Sequence, residues 1–315
     1  MSPSWISTRH VDPVKEGNAT GTPPSSPICV FLLVVTIGLG VGLGVGLTRS
    51  HEQDGSASTE PSPPLGNITN ATTGTFWKPT AGTPWQIVLE YALNDTSIDV
   101  PVYDIDLFTN PASTIDSLHA MNRSVICYFS AGSYEDFRPD SGNFTKDDYA
   151  KPLDGWPGEW WLNTNSSNVR NIMRARIALA ASKGCDGVDP DNVDGYDNDT
   201  GLDLTEDTAI NYLTFLAVEA HSRNMSIGLK NAGGIVNATL DMLQWEVNEQ
   251  CGQYDECEDF QQFLDAGKPV FRIEYPSSAP DISTTTLDGI CNNTAAVGFS
   301  TVVKLMDLDN WVEYC

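Results

Sequence analysis

Three features of the chain predict an α/β fold whose strands close into a (β/α)8 TIM barrel, preceded by a single transmembrane helix and a disordered stalk. Short apolar runs that end in polar or acidic residues alternate with helical periods from Trp85 onward. An uncharged, apolar stretch of twenty residues runs from Ile28 to Leu47. A Ser/Thr/Pro-rich segment lies between them.

Residues 1–27 are polar and rich in Pro, Ser and Thr, the composition of a disordered cytoplasmic tail. Residues 28–47 are long enough to span a bilayer as a helix. The following Thr48-Arg49-Ser50-His51 is a poor cleavage site, so the span reads as an uncleaved signal anchor. Positive residues barely orient it, with Arg9 and Lys15 before and Arg49 after. Glycosylation sequons do better: ten Asn-x-Ser/Thr triplets, from Asn67 to Asn292, follow the span, and only Asn18 precedes it. Residues 48–80 form the stalk and 81–315 the folded domain, which is expected outside the cell membrane on a single-pass anchor.

Eight strand candidates follow, at residues 85–90, 102–108, 124–132, in the stretch from Gly184, and at 226–231, 243–249, 269–275 and 300–305. Helical periods separate several of them. Residues 168–181 carry Ile172, Met173 and Ile177; Thr205 to His221 opens on Thr205-x-x-Thr208; Cys257 to Ala266 carries Phe260, Phe263 and Leu264. Repeated strand and helix favours the closed barrel, with an open doubly wound sheet as the alternative. No Gly-x-Gly-x-x-Gly follows the first strand, which argues against dinucleotide binding.

The formal net charge is −25. Before residue 81 stand Arg9, Lys15, Arg49 and Lys78 against Asp12, Glu16, Glu52, Asp54 and Glu60, a difference of −1, which leaves −24 for the remainder. Such a field repels nucleic acid and concentrates cations in a cleft. Cys29 falls in the apolar run, leaving an even set of six cysteines. Proximity suggests Cys251 with Cys257 and Cys291 with Cys315, leaving Cys127 with Cys185. No Cys-x-x-Cys or paired His spacing suggests zinc.

The most informative stretch is Gly184-Cys185-Asp186-Gly187-Val188-Asp189-Pro190-Asp191-Asn192-Val193-Asp194-Gly195-Tyr196, which begins as a buried strand and ends in carboxylates. A calcium loop fits poorly, because Val193 stands fifth from Asp189 where an oxygen ligand belongs. Barrel chemistry gathers at the carboxyl ends of strands. Those ends supply Asp104 and Asp106, Tyr128 and Ser130, Asp189, Asp191 and Asp194, Lys230 and Asn231, Glu249, Glu274 and Tyr275, and Lys304 with Asp307. His10 and His51 precede the domain, and His119 and His221 fall in helical stretches, so a His-based triad is not expected. Two facing acids suit glycosidic cleavage, one protonated to release the leaving oxygen and one ionised. Trp156, Trp160 and Trp161 offer flat surface for sugar rings or packing over the barrel mouth.

The elements Val102-Tyr103-Asp104-Ile105-Asp106-Leu107-Phe108, Cys127-Tyr128-Phe129-Ser130-Ala131-Gly132-Ser133-Tyr134-Glu135, Asp-Gly-Val…Asp-Asn-Val-Asp, Leu229-Lys230-Asn231 and Asn248-Glu249-Gln250-Cys251 together resemble glycoside hydrolase family 114, the endo-α-1,4-polygalactosaminidases. The anchored form is most similar to fungal members acting on galactosaminogalactan. The resemblance covers roughly Trp85 to Cys315. It implies a (β/α)8 fold, no cofactor or metal, and hydrolysis of α-1,4 bonds in a cationic galactosamine polysaccharide. Carried over by position, the catalytic pair is Asp191 and Glu249; analogy with other α-glycosidase barrels makes Asp191 the nucleophile and Glu249 the acid/base. Asp106, Tyr128, Asp189, Asp194, Lys230, Asn231 and Glu274 are expected to bind substrate. Strand alternation puts Asp189 and Asp191 on one face and does not choose between them. Glu246 has the opposite parity to Glu249. The alternatives are a non-catalytic carbohydrate-binding barrel and a hydrolase of another α-linked sugar.

Overall fold

The computed structural model describes residues 75–315, and its sheet grows by one parallel strand at a time. In chain order the strands are β1 (Trp85–Val88), β2 (Val102–Asp106), β3 (Ser124–Ser130), β4 (Ser133–Glu135), β5 (Tyr149–Pro152), β6 (Glu159–Leu162), β7 (Gly187–Asp191), β8 (Ser226–Lys230), β9 (Trp245–Glu249), β10 (Val270–Glu274), β11 (Ser300–Val303) and β12 (Glu313–Tyr314). The helices are α1 (Ala112–Ala120), α2 (Ser167–Lys183), α3 (Glu206–His221), α4 (Val236–Thr239), α5 (Cys251–Tyr254), α6 (Gln261–Asp265) and α7 (Thr284–Cys291).

The eight expected strands are β1, β2, β3, β7, β8, β9, β10 and β11, parallel neighbours in that order. Alternation sorts their side chains between two apolar layers. Trp85, Ile87, Val102, Ile126, Trp245, Val247, Phe271, Ile273 and Val302 fill the concave face. Tyr103, Ile105, Val125, Cys127, Val188, Ile227 and Leu229 meet the helices on the other. Glycine shapes the concave layer: a Cβ on Gly228 would lie 2.0 Å from the Trp245 indole nitrogen, and one on Gly187 2.3 Å from its ring. The indole lies flat across both strands only because those side chains are absent.

Helix boundaries follow local chemistry. Ser166 caps α2 by accepting from Asn168 and Val169 N–H groups, and Gly184 ends it at a φ of 92°. The Thr205-x-x-Thr208 box forms as the spacing predicts and starts α3. The expected helix from Cys257 is split into a 3-10 turn, Cys257–Phe260, and the short α6. Disulfides Cys127–Cys185, Cys251–Cys257 and Cys291–Cys315 follow the pairing suggested by proximity.

Two expectations are corrected. The sheet is not a closed (β/α)8 barrel but a curled, open half-barrel, because β12 pairs antiparallel with the edge of β11 that closure requires. Cys291–Cys315 ties down the residue after β12. Where β1 nears this edge, single side-chain hydrogen bonds reach across: Trp85 Nε1 donates to the Ser300 carbonyl at 2.9 Å, and the Tyr314 hydroxyl to the Trp85 carbonyl at 3.2 Å. The membrane anchor is also unsupported. Among the described residues no helix is long and apolar enough to cross a membrane, and the segment from Ile28 to Leu47 lies outside them. The single-pass topology, membrane partner and cell-membrane localisation expected from that segment therefore have no support in the described residues. The tail and most of the stalk likewise lie outside the described residues.

Candidate active site

The carboxyl ends of β2, β3, β7, β8 and β9 line a cleft of about 530 Å³. Its floor holds Asp191 and Glu249 with Lys230 bonded to both, 3.0 Å from Asp191 Oδ1 and 2.8 Å from Glu249 Oε2. Those two contacts keep the carboxyl oxygens within about 6 Å of each other. Each acid has a second, separate donor. The Tyr128 hydroxyl donates to Asp191 Oδ2 at 2.8 Å, and the Tyr275 hydroxyl to Glu249 Oε1 at 2.6 Å.

Backbone geometry fixes the acids. Ala131 and Gly132 N–H groups donate to the Asp191 carbonyl, which clamps the end of β3 to that of β7. A Cβ on Gly132 would sit 1.6 Å from the Asn192 carbonyl oxygen, so the clamp requires glycine. Asn192 turns the chain at a φ of 60°, and its N–H donates to Asp191 Oδ1. Asn231, at a φ of 51°, accepts from the Glu249 N–H through Oδ1 and donates to Glu249 Oε2 at 3.3 Å. Left-handed asparagines thus turn the chain directly after β7 and β8.

The structure brings Asp191, Glu249, Lys230, Tyr128 and Asn231 together as expected of neighbouring strand ends. Asp106 lines the cleft but is occupied, accepting from Phe108 N–H, Thr109 N–H and Arg138 Nη1. Asp189 is fully buried beneath the cleft. Asp194 lies at the 3-10 turn Gly195–Asp197, off the cleft lining. Glu274 is also off it: it pairs with Arg272 at 2.8 Å and accepts from the Gly252 N–H, because it has the parity opposite to Phe271 and Ile273. Tyr275, one residue later, has the concave parity and takes the place next to Glu249. Parity alone would have found it.

The segment between β3 and α2 forms a separate three-stranded sheet, β4-β6-β5, that walls one side of the cleft with Glu135, Phe137, Arg138, Leu153, Trp156 and Glu159. Of the three tryptophans expected near sugar, Trp156 reaches the cleft. Trp161 is buried, and Trp160 packs on Tyr134 and Tyr149. Glu90, Asp307 and Met306 line the cleft as well. Among the described residues no group of three or more His, Cys, Asp or Glu is arranged to hold a metal ion.

Residues 66–315 match the family described as glycoside-hydrolase family GH114. The chain belongs to that family. It is a glycosidase. The chain is similar to Ega3 of Aspergillus fumigatus, whose crystal structure contains galactosamine. The two are 55% identical, the match covers 78% of this chain and 100% of that one, and the TM-score is 0.76. The glycoside hydrolase domain of PelA from Pseudomonas aeruginosa shares the fold at 11% identity, covering 73% of this chain and 98% of its own, with a TM-score of 0.55. None of the curated proteins matches the chain.

Proposed function

We propose that Asp191 and Glu249 act as nucleophile and acid/base in a retaining hydrolysis of α-1,4-linked galactosamine. The GH114 chain is an endo-acting hydrolase of galactosaminogalactan. The observation that carries the mechanistic reading is the Lys230 bridge, which keeps one oxygen of each carboxyl within about 6 Å of the other; a separation of about 5–5.5 Å suits double displacement, whereas an inverting pair stands about 6.5–9.5 Å apart to admit a water. An Asp191 oxygen attacks the anomeric carbon as the glycosidic C–O bond breaks, and Glu249 gives its proton to the leaving oxygen. Glu249 then takes a proton from water, whose oxygen displaces Asp191 from the sugar.

Substrate charge fits the lining. Galactosamine units carry ammonium groups, and Glu90, Asp307 and Glu159 present carboxyls along the cleft, while Trp156 offers an apolar face. Ega3 with bound galactosamine supports the same sugar here. The test uses the full chain on deacetylated galactosaminogalactan, with mass analysis of the products. A ladder of galactosamine oligomers is expected from the wild type. Asp191→Asn and Glu249→Gln, folded as judged by circular dichroism, should each lose about a thousandfold or more in rate. Either variant working at the wild-type rate removes the assignment.

A further inference from the structure

We infer that Phe137 is a stacking platform for an outer galactosamine unit of the polymer, a binding subsite at the mouth of the cleft. The sugar rests on the function proposed above; the platform is argued from how the ring is held.

Phe137 lies two residues past β4, on the wall built by the β4-β6-β5 sheet, and it lines the cleft. It is 62% exposed, whereas Asp191 and Lys230 on the floor are 7% and 4% exposed. A phenyl group this open to water forgoes the free energy of burial. Among the described residues Phe137 and Trp156 are the only exposed phenylalanine and tryptophan, and both line this cleft.

The ring sits on a fixed pedestal. The Arg138 guanidinium lies over Phe137, 5.3 Å from its centroid, and over Phe108 at 5.1 Å. Two carboxylates hold that guanidinium: Arg138 Nη1 donates to Asp106 Oδ2 at 2.6 Å, and Nε to Glu135 Oε1 at 2.8 Å. The Arg138 side chain is only 10% exposed, so the pedestal is set before a ligand arrives. The same carboxylates offset its charge, and an ammonium-bearing sugar is not repelled. Asp106 thereby acts as a positioning residue, through Arg138, without touching the sugar.

A ring with one face covered by a fixed cation and the rest open suits a flat apolar partner. The axial 4-oxygen of a galactopyranose leaves the C–H bonds at C3, C4 and C5 on the opposite side as an apolar patch, and the equatorial 2-ammonium stays clear of it. Because Phe137 stands at the mouth and the acids on the floor, the unit it carries is not the one cleaved. Its binding is therefore the same in the ground and transition states, and losing it raises KM while kcat holds.

The test compares full-chain wild type, Phe137→Ala and Phe137→Tyr on deacetylated galactosamine oligomers of increasing length. Wild-type kcat/KM should rise with length as the outer subsite fills. Phe137→Ala should lower the ratio of kcat/KM on the longest to that on the shortest oligomer about tenfold, through KM, and Phe137→Tyr, which keeps the ring, should retain the ratio. An unmoved ratio in Phe137→Ala, or an equal loss at every length, overturns the platform and leaves the substrate reading intact. A wild type that cleaves none of the oligomers removes the substrate reading instead, and calorimetric titration with the longest oligomer then decides the platform. A Kd about tenfold weaker in Phe137→Ala than in wild type upholds it, whereas equal Kd values, or no binding by either, overturn it.

Discussion

Lys230 holds Asp191 and Glu249 in one constellation, and the residues around them separate by strand parity into those that touch the chemistry and those that do not. Parity made much of this legible in the sequence: Asp189 and Asp191 fall on one face, and Glu246 and Glu249 on opposite ones. It also shows why Glu274 was misplaced, since a residue at a strand end reads as a rim residue until its face is counted. Tyr275→Phe removes the hydroxyl bonded to Glu249 and should lower kcat roughly tenfold or more, with KM little changed. Glu274→Gln breaks a buried pair with Arg272 and should cost about 3 kcal/mol in urea denaturation, while the folded enzyme turns over at the wild-type rate. A kcat loss in Glu274→Gln with unchanged stability would return that residue to the cleft.

At the scale of elements, the parallel strands were readable because each is a short apolar run punctuated by polar residues. The β4-β6-β5 wall was not, because strands of three or four residues in a long insertion leave no periodicity to count. Closure was not readable either: it depends on whether the last strand turns back, and β12 is only two residues long. The clamp between β3 and β7 gives the sharpest prediction at this scale. Gly132→Ala must push Asn192 away and carry Asp191 with it. It should lower stability by about 1–3 kcal/mol and kcat by more than tenfold. A folded variant with wild-type turnover would mean that the clamp does not position the acid.

The whole molecule is strongly acidic and keeps several acids dry. Asp104, Asp189 and Glu246 are all raised by burial, Asp189 to about 7. Acids with raised folded pKa values stabilise the fold fully below their unfolded value, about 4, and lose that contribution as pH rises through the folded value. Lys304, lowered to about 7 by burial, works in the other direction and only above that pH. The melting temperature at constant ionic strength should therefore fall between pH 5 and pH 7, and a rise across that window would contradict the buried-acid account. The central claim is narrower: two carboxyls bridged by one ammonium cleave with retention at the anomeric carbon. Proton NMR of the reducing end released in the first minutes from a deacetylated galactosamine oligomer tests it directly. The α anomer should appear first and then mutarotate, whereas a β anomer appearing first would contradict the account.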